Sequence, residues 1–486
     1  MIPEPRLLSS LGLSTRGGPR LLKTDPVITG ITADSRAVRP GFLFAALAGV
    51  TAHGASYAGA ALERGAVAVL TDAAGALLAP DAPLVLAQEP REALARAAAL
   101  FYGAQPATMV AVTGTNGKTS TATFCRQIWN LLGHEAINIG TTGVEGSWSA
   151  RSSHTTPDPV TLHAMLAEAA AAGVTHAAME ASSHGLDQRR LDGVRLKAGG
   201  WTNFTQDHLD YHKTFEAYFA AKAGLFTRVL PPEAVAVINL ADPALAGFDP
   251  PQTRLTVGKG AADLCILGQR YDATGQDLRV SCQGVIHQVR LNLIGGFQAE
   301  NVLMAAGLVI AAGEKPGAVF DVLPGLSGVR GRMQLAATRK NGAAVFVDYA
   351  HTPDAIQTAL RALRPHVMGR IVVVFGAGGD RDTTKRPLMG EAAAKWADVA
   401  IVTDDNPRSE EPALIRAAIL QACPEATEVG DRAEAILRGV DALGPGDALL
   451  IAGKGHETGQ VIKGDIYPFD DVEQASIAVA ALDGVI

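Results

Sequence analysis

A chain of 486 residues with a net charge of −7 and no long basic run argues against a nucleic-acid or membrane-surface partner. Hydrophobic residues make up 48% of it, aromatics 5%, and 52 glycines punctuate it, as suits an α/β enzyme of roughly three domains at about 150 residues each. The segment MIPEPRLLSS lacks a signal-peptide core and no apolar run reaches the roughly 18 residues that span a bilayer, so a cytoplasmic protein without membrane insertion is expected. Cys125, Cys265, Cys282 and Cys423 lie far apart without metal-ligand spacing and read as reduced thiols.

Residues 1–104 alternate short apolar runs with Gly and Pro turns, as in ITGITADSRAVRPGFLFAALAG, and close with an alanine-rich helix at about 91–101. A second unit, 105–328, opens on AVTGTNGKTS, residues 111–120. Apolar residues 109–113 predict a buried strand and those after Gly117 a helix, which places glycines at a strand-to-helix turn. Gly114, Thr115, Asn116 and Gly117 then form a loop whose backbone N–H groups point at a phosphate, and the N-terminus of the helix bearing Lys118, Thr119 and Ser120 adds positive charge. Lys118 would neutralise the outer phosphates of ATP or GTP, and the Thr119 hydroxyl would reach Mg2+. Val112 stands where the usual pattern has glycine. The bland alternative is a glycine turn that happens to precede Lys-Thr.

Further along, the strand VTHAAM delivers Glu180 in MEASSHGLDQRR, a natural magnesium ligand or a merely solvated strand end. WTNFTQDHLDYH packs Asp207, His208, Asp210 and His212 closely, as a ligand-binding loop or as turn and cap chemistry. In the following helix, Phe215, Phe219, Lys222 and Phe226 share one face. Lys222 must snorkel to water or, if buried with a depressed pKa, become a reactive amine able to take up carbon dioxide as an anionic carbamate. Repeated strand–helix pairs are expected up to a helix at about 298–312. The third unit, 329–486, alternates AAVFVD, RIVVVFG, DVAIVT and DALLIAG with helices, which predicts a parallel sheet with ligands beyond its carboxyl ends.

TGTNGKT, MEASSHGLDQRR, NFTQDHLDYH and Lys222 together resemble the Mur ligase family, the ATP-dependent ligases that build the peptide of bacterial cell-wall precursors. The resemblance covers essentially the whole chain, because ADSRAVRPGFLFAALAG looks like the family's nucleotide-sugar domain and VDYAHTPDAI, GAGGDRD and AGKGHE like its C-terminal domain. It implies three α/β domains: a UDP-sugar-binding domain at 1–104, a P-loop ATPase-like parallel-sheet domain at 105–328, and a Rossmann-like amino-acid-binding domain at 329–486. Within the family the chain is most similar to members that add the third residue of the stem peptide, and TDDNPRSEEP resembles those that choose meso-diaminopimelate over lysine. The implied reaction phosphorylates the D-glutamate γ-carboxylate of UDP-N-acetylmuramoyl-L-alanyl-D-glutamate with ATP and Mg2+, after which an amino group of diaminopimelate displaces phosphate.

Carried onto this sequence, the resemblance makes Lys118, Glu180, His208 and Lys222 catalytic, with Thr119, Glu180, His208 and carbamylated Lys222 as metal ligands. Asn301, Arg332 and Asp348 match further ATP contacts. Ser35 and Arg36, beside Asp34, match the uridine-nucleotide region, near His53 and Gly54; alone, the DSR triplet is a charged turn. Thr155, Thr156, Ser182, Gln188 and Arg190 match positions that hold the muramoyl dipeptide. Arg381, Asp405, Asn406, Pro407, Arg408, Gly453 and Glu457 match the diaminopimelate site. There Arg408 offers a planar fork for the distal carboxylate that lysine lacks, although Asn-Pro is also an ordinary turn signal.

Arg330 stands where the family pattern has proline, Thr383 and Thr384 where it often has Lys-Gly, and Gly459 where an aromatic is usual. These departures touch the ATP-site loops and the acceptor pocket rather than any charged ligand. A lysine-adding relative, a folylpolyglutamate synthetase-like ligase and a non-catalytic nucleotide-binding scaffold remain alternatives. The expected partners are small molecules only, on a monomer.

Overall fold

Uninterrupted apolar runs bounded by glycine become strands buried on both faces, because only a sheet covered by helices hides so many aliphatic side chains. The structure, a computed structural model, describes residues 3–13, 25–49, 51–152 and 154–485, and forms two compact units, Met1–Asp263 with Leu303–Val319, and Leu264–Val302 with Phe320–Ile486.

In the first unit, strands Gly30–Thr32, Phe42–Ala45, Ala68–Thr71 and Leu84–Leu86 pair in chain order, all parallel. Helix Pro90–Tyr102 packs Leu94, Ala97 and Phe101 against them. The larger sheet of this unit runs in the order Thr253–Gly258, Val235–Asn239, Ala198–Trp201, Thr108–Thr113, His176–Glu180, Ala136–Gly140, with Gly143–Gly146 antiparallel at the edge. Thr108–Thr113 therefore lies between two parallel neighbours whose carboxyl ends point the same way. Whatever follows Thr113, Met179 and Trp201 converges at one end of the sheet, where ligands of such sheets bind.

The second unit begins with Leu264–Asp272, Gly275–Cys282 and Val285–Leu291, an antiparallel meander. Strand–helix pairs were expected here. Two-residue turns decide against them: Gln283 and Gly284 both take positive φ between the paired Cys282 and Val285, the twist that suits a tight hairpin. The following sheet runs Gln334–Thr338, Ala344–Asp348, Ala448–Ala452, Ile371–Phe375, Val399–Val402, Thr427–Glu428, parallel except for the first strand. Its two faces carry separate cores, one around Ile356, Phe375 and Leu450, the other around Val372, Ile436 and Ile451. A buried pair, Arg432 with Asp471 at 2.7 and 2.8 Å, fixes helix Arg432–Asp441 against helix Asp471–Leu482. Cys125, Cys265, Cys282 and Cys423 are all buried. Among the described residues, no helix is long and apolar enough to cross a membrane.

Candidate active site

The loop after Thr108–Thr113 has the backbone a phosphate clamp needs. Gly114 (φ 146°) and Gly117 (φ 84°) both lie at positive φ, and a Cβ on Gly114 would run into Thr202 Oγ1. Gly117 is the N-cap of helix Lys118–Leu131, so Lys118, Thr119 and Ser120 occupy its first turn, whose N–H groups have no intrahelical partner. The end of the neighbouring strand holds the loop open: Asn116 N–H donates to Asn203 Oδ1 at 2.8 Å, while Asn203 Nδ2 and Thr202 Oγ1 donate to the Asn116 carbonyl at 3.1 and 2.6 Å. Thr115 is pinned through its hydroxyl to the Thr205 carbonyl at 3.0 Å and lies 3.2 Å from the Tyr218 hydroxyl.

Two lysine side chains meet at this loop. Lys118 Nζ donates to the Gly114 and Thr115 carbonyls at 2.8 Å each, and Lys222 Nζ donates to the same Gly114 carbonyl at 2.7 Å. Lys222 does not snorkel, being 1% exposed. Its helix, Phe215–Gly224, is capped by Thr214 and turns Tyr218 and Lys222, four residues apart, to the loop, with Nζ 4.6 Å from the Tyr218 ring. Phe219 and Phe226 instead pack on Trp201 at 4.9 and 5.6 Å, and Phe215 is 41% exposed, so the expected single apolar face is split. Burial pushes the Lys222 amine well below the usual lysine range, Lys118 pushes it further, and Asp207 opposes them.

Glu180 closes its strand at 1% exposure and accepts from the Thr141 N–H at 2.8 Å. Thr141 and Thr155 hydroxyls lie 3.0 Å apart. The Thr156 hydroxyl donates to the Glu180 carbonyl at 2.9 Å and accepts from Ser182, which caps helix Ser183–Asp187. Arg190 donates to the Thr156 carbonyl and to Gln188 Oε1, both at 2.7 Å, and Gln188 donates to Tyr211 at 3.2 Å. The residues expected to hold the dipeptide thus form one hydrogen-bonded chain running from Glu180.

His208 caps helix Leu209–His212 in the left-handed region, φ 53°, an uncommon conformation for a non-glycine residue. Its ring stands edge-on to His184 at 4.8 Å. Burial lowers its pKa, Asp207 opposes this, and His184, Lys118 and Lys222 lower it again. The side chain of Asp210 lies outside the described residues.

Ser35 and Arg36 sit in a single turn, Ser35–Ala37, with the Arg36 guanidinium on Asp34 at 2.8–3.3 Å. His53 accepts from Ala55 N–H at 3.1 Å and faces Asp72 at 3.2 Å.

The second unit gathers its polar residues at strand ends in the same way. Asp348 ends a strand and accepts from the Met333 and Ala350 N–H groups at 2.7 and 2.9 Å; burial raises its pKa, with Arg332 opposing. Arg332 lies over the Tyr349 ring at 4.7 Å, and Asn301 donates to Gln298 at 3.1 Å. Beyond Val399–Val402, Asn406 donates to Glu457 Oε2 at 2.8 Å and accepts from Lys454 Nζ at 3.1 Å and Val461 N–H at 2.9 Å. Asp405 and Pro407 are buried, and a side chain on Gly453 (φ 120°) would strike the Asp405 carboxylate. Arg408 also takes a positive φ, 53°, because its N–H and carbonyl bridge to the hairpin at Val461 and Lys463, and its guanidinium donates to the Gly379 carbonyl at 2.8 Å. Arg381 is exposed on the loop after Gly379. Of the departures, Gly459 has a local reason, since a Cβ there would come within 2.7 Å of Ile466 across the hairpin, and Arg330 pairs with Asp470 at 3.1 Å.

Asn203, Tyr218, Thr141 and Lys454 join the site without a role in the motifs above. Lys454 lay within the quoted AGKGHE, immediately after an apolar strand, so the strand-end rule would have found it. Asn203, Tyr218 and Thr141 matter only through cross-strand contacts that spacing does not reveal.

The phosphate loop with its two convergent lysines and neighbouring strand-end glutamate is suited to handling ATP, and the chain belongs to the Mur ligase family of ATP-dependent ligases. Residues 27–102 match the Mur ligase family catalytic domain, 112–309 the Mur ligase middle domain and 331–455 the Mur ligase glutamate ligase domain. The chain is 52% identical over 478 residues to UDP-N-acetylmuramoyl-L-alanyl-D-glutamate--2,6-diaminopimelate ligase of Caulobacter vibrioides, covering 96% of this chain and 98% of that one. It is 50% identical over 464 residues to the ligase of the same name from Brucella melitensis, covering 93% and 94%. A solved structure of a ligase of that name superposes with a TM-score of 0.70 at 34% identity over 99% of each chain. The Thermotoga maritima MurF ligase in complex with ADP shares the fold, with a TM-score of 0.62 at 18% identity over 94% of this chain and 98% of that one.

Proposed function

We propose that the protein uses ATP to join an amino group of meso-diaminopimelate to the D-glutamate γ-carboxylate of UDP-N-acetylmuramoyl-L-alanyl-D-glutamate, a step of peptidoglycan precursor synthesis in the cytoplasm. The observation that carries this reading is the meeting of Lys118 and Lys222 on the Gly114 carbonyl, one strand away from Glu180. Residues up to about 104 hold the nucleotide sugar, 105–328 the ATP, and 329 onward the incoming amino acid.

A carboxylate is a poor electrophile. Its oxygen attacks the γ-phosphorus, the bond to the β-phosphate oxygen breaks, and ADP leaves an acyl phosphate. The chain's task is positioning and charge neutralisation. Loop N–H groups and Lys118 hold the β and γ phosphates, with Asn301, Arg332 and Asp348 placing the nucleoside; Thr155, Thr156, Ser182, Gln188 and Arg190 aim the γ-carboxylate. The amine nitrogen then attacks the acyl carbon, inorganic phosphate departs with the bonding electrons, and the nitrogen loses a proton. Arg408, with Arg381, receives the diaminopimelate carboxylates, and Glu457 and the Gly453 carbonyl its distal ammonium. A lysine would leave Arg408 unmatched in a closed site.

The fit to Mg2+ depends on Lys222. As an ammonium beside Lys118 it repels a cation. Its depressed pKa supplies the neutral amine whose nitrogen bonds the carbon of CO2 with loss of a proton, and the resulting carbamate is an anionic oxygen ligand. Thr119, Glu180, His208 and carbamylated Lys222 would then offer an oxygen-rich donor set suited to Mg2+, which would neutralise phosphate charge.

Phosphate release tests the reading, with ATP, Mg2+ and the UDP-linked dipeptide, comparing meso-diaminopimelate with L-lysine. Release with diaminopimelate alone, with the tripeptide seen by mass spectrometry, supports it. Release with lysine alone keeps the ligase and removes the role given to Arg408. Release with neither removes the reaction.

A further inference from the structure

The first unit carries a second cluster of ligating side chains at the opposite end of the sheet from the phosphate loop. His176 opens the strand His176–Glu180 that Glu180 closes, which separates the two ends by roughly 13 Å. Around His176 gather His134 and Glu314: one ligating atom from each of the three lies within 4.8 Å of the others, and all three are half-buried. His134 Nε2 is 2.8 Å from Glu314 Oε1, and the two imidazole rings lie 4.1 Å apart, tilted by 36°. An ion pair would account for His134 and Glu314 but not for the second imidazole brought against them.

The backbone builds this convergence twice in the same way. Helix Lys118–Leu131 ends at Gly133, φ 89°, whose N–H bonds the Asn130 carbonyl while His134 N–H bonds Trp129. Helix Phe297–Ala311 ends at Gly313, φ 123°, whose N–H bonds Ile310 while Glu314 N–H bonds Val309. Both are Schellman caps, and His134 and Glu314 hold the same position in them. Two helix C-termini, each with partial negative charge, therefore end at the cluster, a field that favours a cation. His176 is also oriented from behind. The Thr175 hydroxyl is 2.8 Å from Nδ1 and 3.2 Å from the Glu135 carbonyl, so it can give its proton to the carbonyl and accept Nδ1–H, leaving the Nε2 lone pair for a ligand.

We propose that His134, His176 and Glu314 form a binding site for a divalent transition-metal ion of the zinc class, which clips two helix ends to the start of a central strand. Two imidazoles and one carboxylate suit Zn2+ in four-coordination, with ligand atoms roughly 3.3 Å apart and water in the fourth place. Here the three ligating atoms all lie within 4.8 Å of one another, the His134–Glu314 pair at 2.8 Å, so small side-chain shifts reach that spacing. The site serves stability and stands apart from the ligase chemistry.

Full-length protein stripped with chelator and titrated with Co2+ tests this, because four-coordinate Co2+ absorbs far more strongly in the visible than the six-coordinate ion of an oxygen-rich magnesium site. Wild-type protein is expected to develop saturable intense bands that Zn2+ abolishes, and Zn2+ is expected to raise Tm by several degrees. Glu314→Gln, which keeps the shape and the hydrogen bond to His134, and His176→Asn should lose the bands. Each should weaken Zn2+ binding by more than the about 10–100-fold seen for outer-sphere partners and leave phosphate release unchanged. Absence of the bands from wild type, or their persistence in both variants, would overturn the site.

Discussion

At Lys222 the physics of burial and of catalysis pull in opposite directions. An ammonium at 1% exposure beside a second ammonium is destabilising, and the Gly114 carbonyl and the Tyr218 face compensate only in part. Lys222→Met is therefore expected to leave Tm unchanged or higher, as replacing buried charge by a hydrophobe of similar volume often does, while phosphate release falls by about 10²–10³-fold. Parallel melting curves and turnover assays check both halves, and a Tm loss of several degrees would make Lys222 structural. Arg408 tests differently. It is held at φ 53° by two backbone bonds to the hairpin, so Arg408→Ala should spare the fold and raise KM for diaminopimelate by about 10–100-fold, the worth of a charged hydrogen bond. KM for ATP should stay as it is.

Among the elements, the phosphate loop owes its shape to its neighbour strand. Asn203 and Thr202 hold the Asn116 peptide from both sides, so the loop is arranged before any nucleotide arrives. Asn203→Ala removes two of those bonds. Each is worth about 0.5–1.5 kcal/mol, and the expected outcome is a several-fold rise in KM for ATP with kcat little changed. A fall in kcat at constant KM would mean instead that Asn203 acts in the transition state. The same dependence on neighbours explains what was legible in sequence. Glycine-bounded apolar runs announced the parallel strands and the clamp, whereas the meander of 264–291 hid its hairpins in Ala273-Thr274 and Gln283-Gly284. For Lys222 the sequence leaves two outcomes open, because a helical face does not say what packs on it.

For the molecule as a whole, acid should act through buried histidine. Burial lowers the His163 pKa to about 4, Arg195 adding to the effect, with Nε2 3.2 Å from the Asp192 carbonyl. The unfolded chain binds this proton near pH 6.5 and the folded one only near 4, so more protons are bound unfolded in that window and stability falls as pH falls through it. The loss is about 1.6 kcal/mol between pH 6.5 and 5 for this one group. Denaturant unfolding of His163→Asn at both pH values should show a smaller difference than wild type; an equal difference would place the acid sensitivity elsewhere.

Sequence alone determined what depends on the order of residues along the chain: the α/β class, the strand–loop–helix of the clamp, and the residue types suited to phosphate and carboxylate. These follow from local periodicity and backbone freedom. Tertiary structure decided what depends on residues distant in the chain. Only the strand order puts Lys222 on the carbonyl of Gly114, links Arg190 through Thr156 to Glu180, and sets Lys454 against Asn406. Only the matching ends of two helices bring His134 and Glu314 to His176. A side chain's burial and charge state are properties of its neighbours, and the neighbours are chosen by the fold.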